Sequence, residues 1–271
     1  VNILNPLSRE LNVMRQTLLF GGLEAIAYNQ NRRVSDMKLF EFGNVYSIPK
    51  KQAGMPNLEK YHEYMQLGVF MTGLKSSESW HQKSEDISFF DLKAIVISIM
   101  NRMGMPFTEI KVSETNALHF KYGLNYTLNN TSICSFGEIN PDLLEKFDIK
   151  QTVFYAEIHW NAIMDELKKV VVKYVEVPKF PEVRRDLALL VNESVKFEQI
   201  EQIAYRIEKR LLKQVKLFDI FKGEKIGKGN KSYAVSFSFQ DYQKTLTDQE
   251  IEKIMNKLVK AYTEELNASI R

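Results

Sequence analysis

Two prolines, Pro178 and Pro181, stand three positions apart just ahead of an apolar run that ends at Val191. Proline has no amide hydrogen and pushes the residue before it into extended backbone, so a helix cannot run through this point. The segment from about 186 to 191 therefore opens a new element, and its apolar content reads as a strand. After it the chain follows one pattern of strand, helix, two strands, helix, strand. Everything before it reads as a separate unit, which gives two domains, 1–176 and 177–271, both of ordinary size.

In the second domain, strand one covers 186–191. Ser194 is placed as the cap of a helix with Phe197, Ile200, Ile203, Ala204, Ile207 and Leu211 on one face. Strand two covers 215–222, a hairpin loop with glycines and lysines covers 223–229, and strand three covers 231–240. Thr247-Asp248-Gln249-Glu250 is a capping box for a helix with Ile251, Ile254, Met255, Leu258, Ala261 and Tyr262 on one side. A last strand covers 267–271. The order βαββαβ is that of the ferredoxin-like fold, with both helices on one sheet face.

Strand alternation then sorts the residues. Leu187, Leu189, Val191, Phe218, Ile220, Tyr233, Val235, Phe237, Phe239, Ala268 and Ile270 are expected under the helices. The opposite face should carry Asp186, Ala188, Leu190, Leu217, Asp219, Phe221, Ser232, Ala234, Ser236, Ser238, Ser269 and Arg271. A lone aromatic on such a face is often plain hydrophobic cover. Phe221 beside an acid and hydroxyls on an open sheet also suits base stacking.

The first domain reads as α+β with a mostly antiparallel sheet. A helix is expected from the cap Ser8 through Leu11, Met14, Leu18 and Leu19, with Gly21-Gly22 interrupting before a second helix that continues to Asn31. Strands follow at 38–46 and 66–73 around a loop at 50–56. A helix opens at Phe89 and stops at Gly104 and Pro106. Short strands cover 123–128 and 132–136, and Gly137-Glu138-Ile139-Asn140-Pro141 reads as a turn into a helix over 142–147. A strand at 153–158 closes the set.

Catalytic chemistry is hard to find in this domain. His62, His81, His119 and His159 are scattered without metal-ligand spacing. Cys134, between Ile133 and Phe136, has no base nearby and reads as a small buried residue. As the one cysteine, it excludes an internal disulfide and fits a reducing, cytosolic setting. Ser8 and Ser47 lack a nucleophile-elbow context. No apolar run is long enough to span a bilayer. The start at Val1 reads as the interior of a longer chain. The net charge of +3 does not announce nucleic acid, although Lys and Arg outnumber Asp and Glu beyond residue 177.

Several stretches together resemble a known family. They are Asn5-Pro6-Leu7-Ser8, Met14-Arg15 with Leu18-Leu19, Leu39-Phe40-Glu41-Phe42-Gly43, Phe90-Asp91-Leu92-Lys93 and Gly137-Glu138-Ile139-Asn140-Pro141. In this order they are similar to the β subunits of bacterial phenylalanyl-tRNA synthetases, in the module that keeps a class II synthetase fold without its chemistry. The second domain resembles the ferredoxin-fold anticodon-binding domain of the same family. That match is carried by Phe180-Pro181, Arg184-Arg185-Asp186-Leu187-Ala188, Leu217-Phe218-Asp219-Ile220-Phe221, Lys231-Ser232, Thr245-Leu246-Thr247-Asp248 and the closing arginine.

The resemblance implies a scaffold that packs against a catalytic α subunit in an α2β2 heterotetramer, with no catalytic residue and no metal site here. ATP and Mg²⁺ are used by the whole enzyme. Class II chemistry needs an arginine after the second motif's strand, where Tyr46 is followed by Ser47, and no glycine-rich third motif before an arginine is found. A hydroxyl cannot neutralise a phosphate. Where the family usually has His-Pro-Gly, this chain reads His119-Phe120-Lys121. By position, Asp219 and Phe221 would bind the first anticodon base of phenylalanine tRNA, a guanine, with Ala188 and Ser232 alongside. Arg271 and the lysines at 222, 225 and 228 are candidates for phosphates. The rival expectation is a ferredoxin-like module that binds a metabolite or protein and no RNA.

Overall fold

A computed structural model of the chain describes residues 1–9, 12–48, 61–76, 79–81, 83–171, 174, 176–223, 226–227 and 229–270. The loop expected at 50–56, Lys225, Lys228 and Arg271 lie outside the described residues. Backbone proximity divides the chain into two compact units, 1–172 and 173–271.

The first unit is a six-stranded antiparallel sheet in the order β1-β2-β6-β5-β4-β3. The strands are β1 (Met37–Ser47), β2 (His62–Thr72), β3 (Lys111–Glu114), β4 (Phe120–Leu128), β5 (Thr131–Ile139) and β6 (Val153–His159). Helices α1 (Leu19–Gln30) and α3 (Pro141–Glu145) cover one face through Leu19, Leu23, Ile26 and Leu144 against Phe70 and Tyr155. Helices α2 (Phe89–Arg102) and α4 (Trp160–Leu167) cover the other through Leu92, Val96, Met100 and Ile163 against Val69, Phe136 and Ile158. At the start of α2 the Asp91 carboxylate accepts from the Ser88 amide at 2.9 Å and hydroxyl at 2.6 Å. Lys75 at 2.8 Å, and then Ser88, hold that carboxyl down at about 2.

Three expectations for this unit fail for physical reasons. Among the described residues no helix forms before Leu19, and Asn12 and Met14 instead pair with the chain start through Ile3 N–H to Asn12 O and Met14 N–H to Val1 O, both 2.8 Å; Leu11 lies outside the described residues. Gly21-Gly22 does not interrupt a helix but sits inside α1. A Cβ on Gly22 would lie 2.0 Å from Cζ of Phe70, so the glycine lets the helix approach the sheet where an aromatic already fills the gap. Residues 137–139 continue β5 rather than turning, and α3 begins only at Pro141, capped by the Asn140 side chain. The short strand β3 and the helix α4 are additions to the expected elements.

At the departure from the family pattern, Phe120 opens β4 and is buried in the core, and Lys121 pairs with Glu138 at 2.7 Å. Cys134 is fully buried and burial pushes its thiol up, out of reach of ionisation.

The second unit is the expected ferredoxin-like fold. Its strands β7 (Val183–Asn192), β8 (Leu212–Phe221), β9 (Asn230–Phe239) and β10 (Ser269–Ile270) are ordered β10-β7-β9-β8, all antiparallel to their neighbours. Helices α5 (Phe197–Ile207) and α6 (Asp248–Leu266) cover one face, over Leu189, Val191, Tyr233, Val235, Phe237 and Phe239. The capping box at Thr247 forms, with Glu250 accepting from the Thr247 amide at 3.0 Å. Ser194 is not a cap. Its hydroxyl donates to Asn192 at 2.7 Å in the turn after β7, and α5 starts behind Lys196, whose amide donates to Gln199. Leu211 is buried just before β8 rather than on α5.

Candidate nucleic-acid interface

The face of the second sheet away from the helices is fixed by register. Leu189, Tyr233 and Val235 point into the core, so Ala188, Leu190, Ser232 and Ala234 point the other way. Across the three strands, Ala188 lies opposite Ala234, and Ala234 opposite Asp219. One step on, Leu190 lies opposite Ser232, and Ser232 opposite Phe221. Side chains directly opposite in an antiparallel pair share a face. The fold therefore brings Ala188, Asp219, Phe221 and Ser232 together on the uncovered side, as the strand pattern anticipated. Arg271 is outside the described residues.

Their exposures differ in a way that suits separate jobs. Asp219 is exposed and Phe221 retains 42% of its surface. Ala188 is half-buried, and Ser232, on a central strand, is only 6% exposed. An acid and a ring thus rise from an edge strand above a shallow floor of small residues. One oxygen of Asp219 accepts from the Ile220 amide at 2.8 Å, which orients the carboxylate. Lys222, at the end of this strand, is 3.3 Å from Glu193 in an exposed pair.

Strand β8 departs from simple alternation. Its register against β9 shifts between Leu217 and Asp219, so Phe218 is an extra residue in the strand. Leu217, expected on the open face, instead opposes Val235 and packs against the core. Phe218, expected under the helices, keeps 50% of its surface. The guanidinium of Arg184 lies over its ring, 5.6 Å from the centroid. Arg184 donates to Asp186 at 2.9 and 3.2 Å, and Asp186 lies opposite Ser236 on β9, between the core residues Val235 and Phe237, so both belong to the open face. Arg184, then Ser236, hold the Asp186 carboxyl below its ordinary value. Phe218 therefore stands on the open face too. A bulge cannot be read from composition, and period-two alternation placed both residues on the wrong side. Ile270, assigned to the core, is half exposed on the two-residue β10.

The first unit holds a cavity of about 660 Å³ at one end of its sheet, walled by residues including Tyr46, Ser47, Tyr64, Gln66 and His159. Among the described residues none of those lining it is Lys or Arg, and Asp165 and Glu166 stand at its edge. Ser47 occupies the end of β1, and the Tyr46 hydroxyl donates to Glu63 at 2.9 Å. Burial lowers the pKa of His159 and raises that of Glu157 beside it on the sheet. Both acids are paired, Asp165 with Lys168 at 2.8 Å and Glu166 with Lys169 at 2.6 Å, so the carboxylates at the cavity are already neutralised. Among the described residues, no helix is long and apolar enough to cross a membrane.

Comparison with known proteins agrees with both halves. Residues 1–160 match the family model described as the phenylalanyl tRNA synthetase beta chain CLM domain. Residues 178–271 match the ferredoxin-fold anticodon binding domain. A phenylalanine–tRNA ligase beta subunit from Bacteroides thetaiotaomicron is 46% identical over 276 residues, covering 100% of this chain and 33% of that protein. The beta subunit from Porphyromonas gingivalis is 38% identical over 281 residues, with 100% and 33% covered. That from Streptococcus thermophilus is 32% identical over 266 residues, with 98% and 32% covered. The chain spans about a third of the length of these relatives. With this identity over its whole length and both family models in order, the chain belongs to the phenylalanine–tRNA ligase beta-subunit family.

Proposed function

We propose that the second unit reads the anticodon of phenylalanine tRNA, within an enzyme that joins phenylalanine to that tRNA. The first unit is the non-catalytic, class II synthetase-like scaffold for a catalytic α subunit in an α2β2 assembly, where ATP and Mg²⁺ are used. Such an enzyme works in the cytoplasm. The observation that carries this reading is the row on the uncovered sheet face: Ala188, Ala234 and Asp219, with Ser232 and Phe221 one step along.

The chemistry follows from the base. Guanine presents two adjacent donors, N1–H and N2–H, on its Watson–Crick edge, and a carboxylate accepts from both. Adenine offers an acceptor at N1 and leaves the carboxylate unmatched. Phe221 supplies a ring for the base to stack on, and the small side chains of Ala188 and Ala234 leave room for a planar group to lie close to the sheet. Arg271, and the lysines at 222, 225 and 228, meet the phosphates.

The test is a titration of the full chain with phenylalanine tRNA and with the same tRNA carrying adenine at the first anticodon position. Binding to the guanine form, weakened about 10-fold or more by adenine, is expected. Binding to neither favours the rival module that recognises a metabolite or a protein, and equal binding to both would show RNA binding without decoding of that base.

A further inference from the structure

We infer that Phe218 is a second stacking platform, and that a nucleotide adjacent to the anticodon guanine lies on it. The inference rests on the reading of this face as an anticodon surface. It adds a second contact made by a residue that strand alternation would bury.

Three observations carry it. The bulge at Phe218 puts the ring on the same face as Asp219 and Phe221 and leaves half of its surface to solvent. An exposed phenylalanine held in one pose is a different object from a mobile one. Arg184 lies over the ring at 5.6 Å and is itself fixed by two bonds to Asp186. A cation over an aromatic ring is attracted to it, so the pair is preorganised before any ligand arrives. The spacing is informative as well. Phe218 and Phe221 are three residues apart on one strand, roughly 10 Å at about 3.3 Å per residue before the bulge shortens it. That is too long for two bases stacked on each other, about 3.4 Å apart. It suits two bases splayed apart on separate rings, the usual way single-stranded loops are read. Asp219 stands between the rings and can address the edge of only one of the bases. Phe218 would therefore hold its base through the face, with Arg184 beside it to stack or to meet a phosphate.

The experiment is a double-mutant cycle with the full chain and a hairpin RNA carrying the anticodon loop of phenylalanine tRNA. The nucleotide on each side of the guanine is replaced in turn by an abasic residue. Phe218→Leu keeps the apolar volume without the ring, and Phe218→Ala removes both. For the unmodified chain, one of the two abasic hairpins should bind about 10-fold more weakly than the intact RNA. For Phe218→Leu and Phe218→Ala that penalty should shrink to about 2-fold or less, while the preference for guanine over adenine at the first anticodon position persists. If the variants bind and select guanine but the abasic penalty is unchanged, Phe218 is not a platform and the inference is overturned. If the unmodified chain ignores the hairpin altogether, the anticodon reading itself fails and takes this inference with it. A melting scan of both variants separates loss of the platform from loss of the fold. A leucine variant that melts like the parent but shows the reduced penalty supports the platform.

Discussion

Replacing Asp219 by alanine is expected to erase most of the preference for guanine over adenine at the first anticodon position. Pairing two donors with one carboxylate contributes about 1–3 kcal/mol of discrimination, so the ratio of the two affinities should fall by about 5- to 150-fold. Asp219 already accepts one bond, from the Ile220 amide, yet each carboxylate oxygen has two lone pairs and both remain available to a base. Asp219→Asn is an informative companion, because an amide presents one acceptor and two donors and cannot match both donors of guanine. Stability should hardly move in either variant. Asp219 is exposed on an edge strand and is absent from the helix-covered core, so a change within about 0.5 kcal/mol is expected by thermal melting. A large drop in melting temperature with selectivity intact would show instead that the carboxylate serves to hold the bulge.

The largest loss of stability is expected for Gly137→Val in the first unit. Gly137 faces Gly123 across β4 and β5, next to a register shift between Phe120 and Tyr122. A Cβ on Gly137 would sit 2.2 Å from the backbone oxygen of Tyr122 and 2.7 Å from the Cα of Gly123. Both neighbours are backbone, so no flexible side chain can move aside, and the strands themselves must separate in the middle of the sheet. Overpacking of this kind costs about 3 kcal/mol, seen as a fall of several degrees in the melting temperature of the first unit. Gly21→Ala gives the contrast. Nothing lies within 4 Å of a Cβ built there, and it is inside α1, where alanine is favoured over glycine by about 1 kcal/mol. It should leave the melting temperature unchanged or raise it.

The second unit was largely legible because its signals are local and agree with one another. Pro178 and Pro181 fix where the first strand can begin, Thr247 and Glu250 form the expected capping box, and alternation along β7 and β9 sorts core from surface correctly. The errors fall where a tertiary contact overrules a local rule. Gly21-Gly22 looks like an interruption until Phe70 is seen occupying the space a side chain would need. Ser194 looks like a cap until Asn192 takes its hydroxyl. The stretch 8–18 carries apolar positions at helical spacing, yet the backbone of Asn12 and Met14 finds partners at the chain start instead. The most consequential miss is the bulge in β8. One extra residue left Asp219 and Phe221 on the face where alternation had put them, but exchanged the sides of Leu217 and Phe218. Such an insertion leaves no mark in periodicity, because it is defined by the partner strand.

The uncovered face of the second sheet is tested most directly by photo-crosslinking. A hairpin with the phenylalanine anticodon would carry 6-thioguanine in place of its first base, which keeps the N1–H and N2–H donors, and be irradiated with the full chain. Peptide mapping should place the crosslink on β8 between 217 and 222 or on the facing part of β9 near 232–234. Attachment to α5 or α6, on the opposite side of the sheet, or to the first unit alone would contradict a decoding role for Asp219 and Phe221.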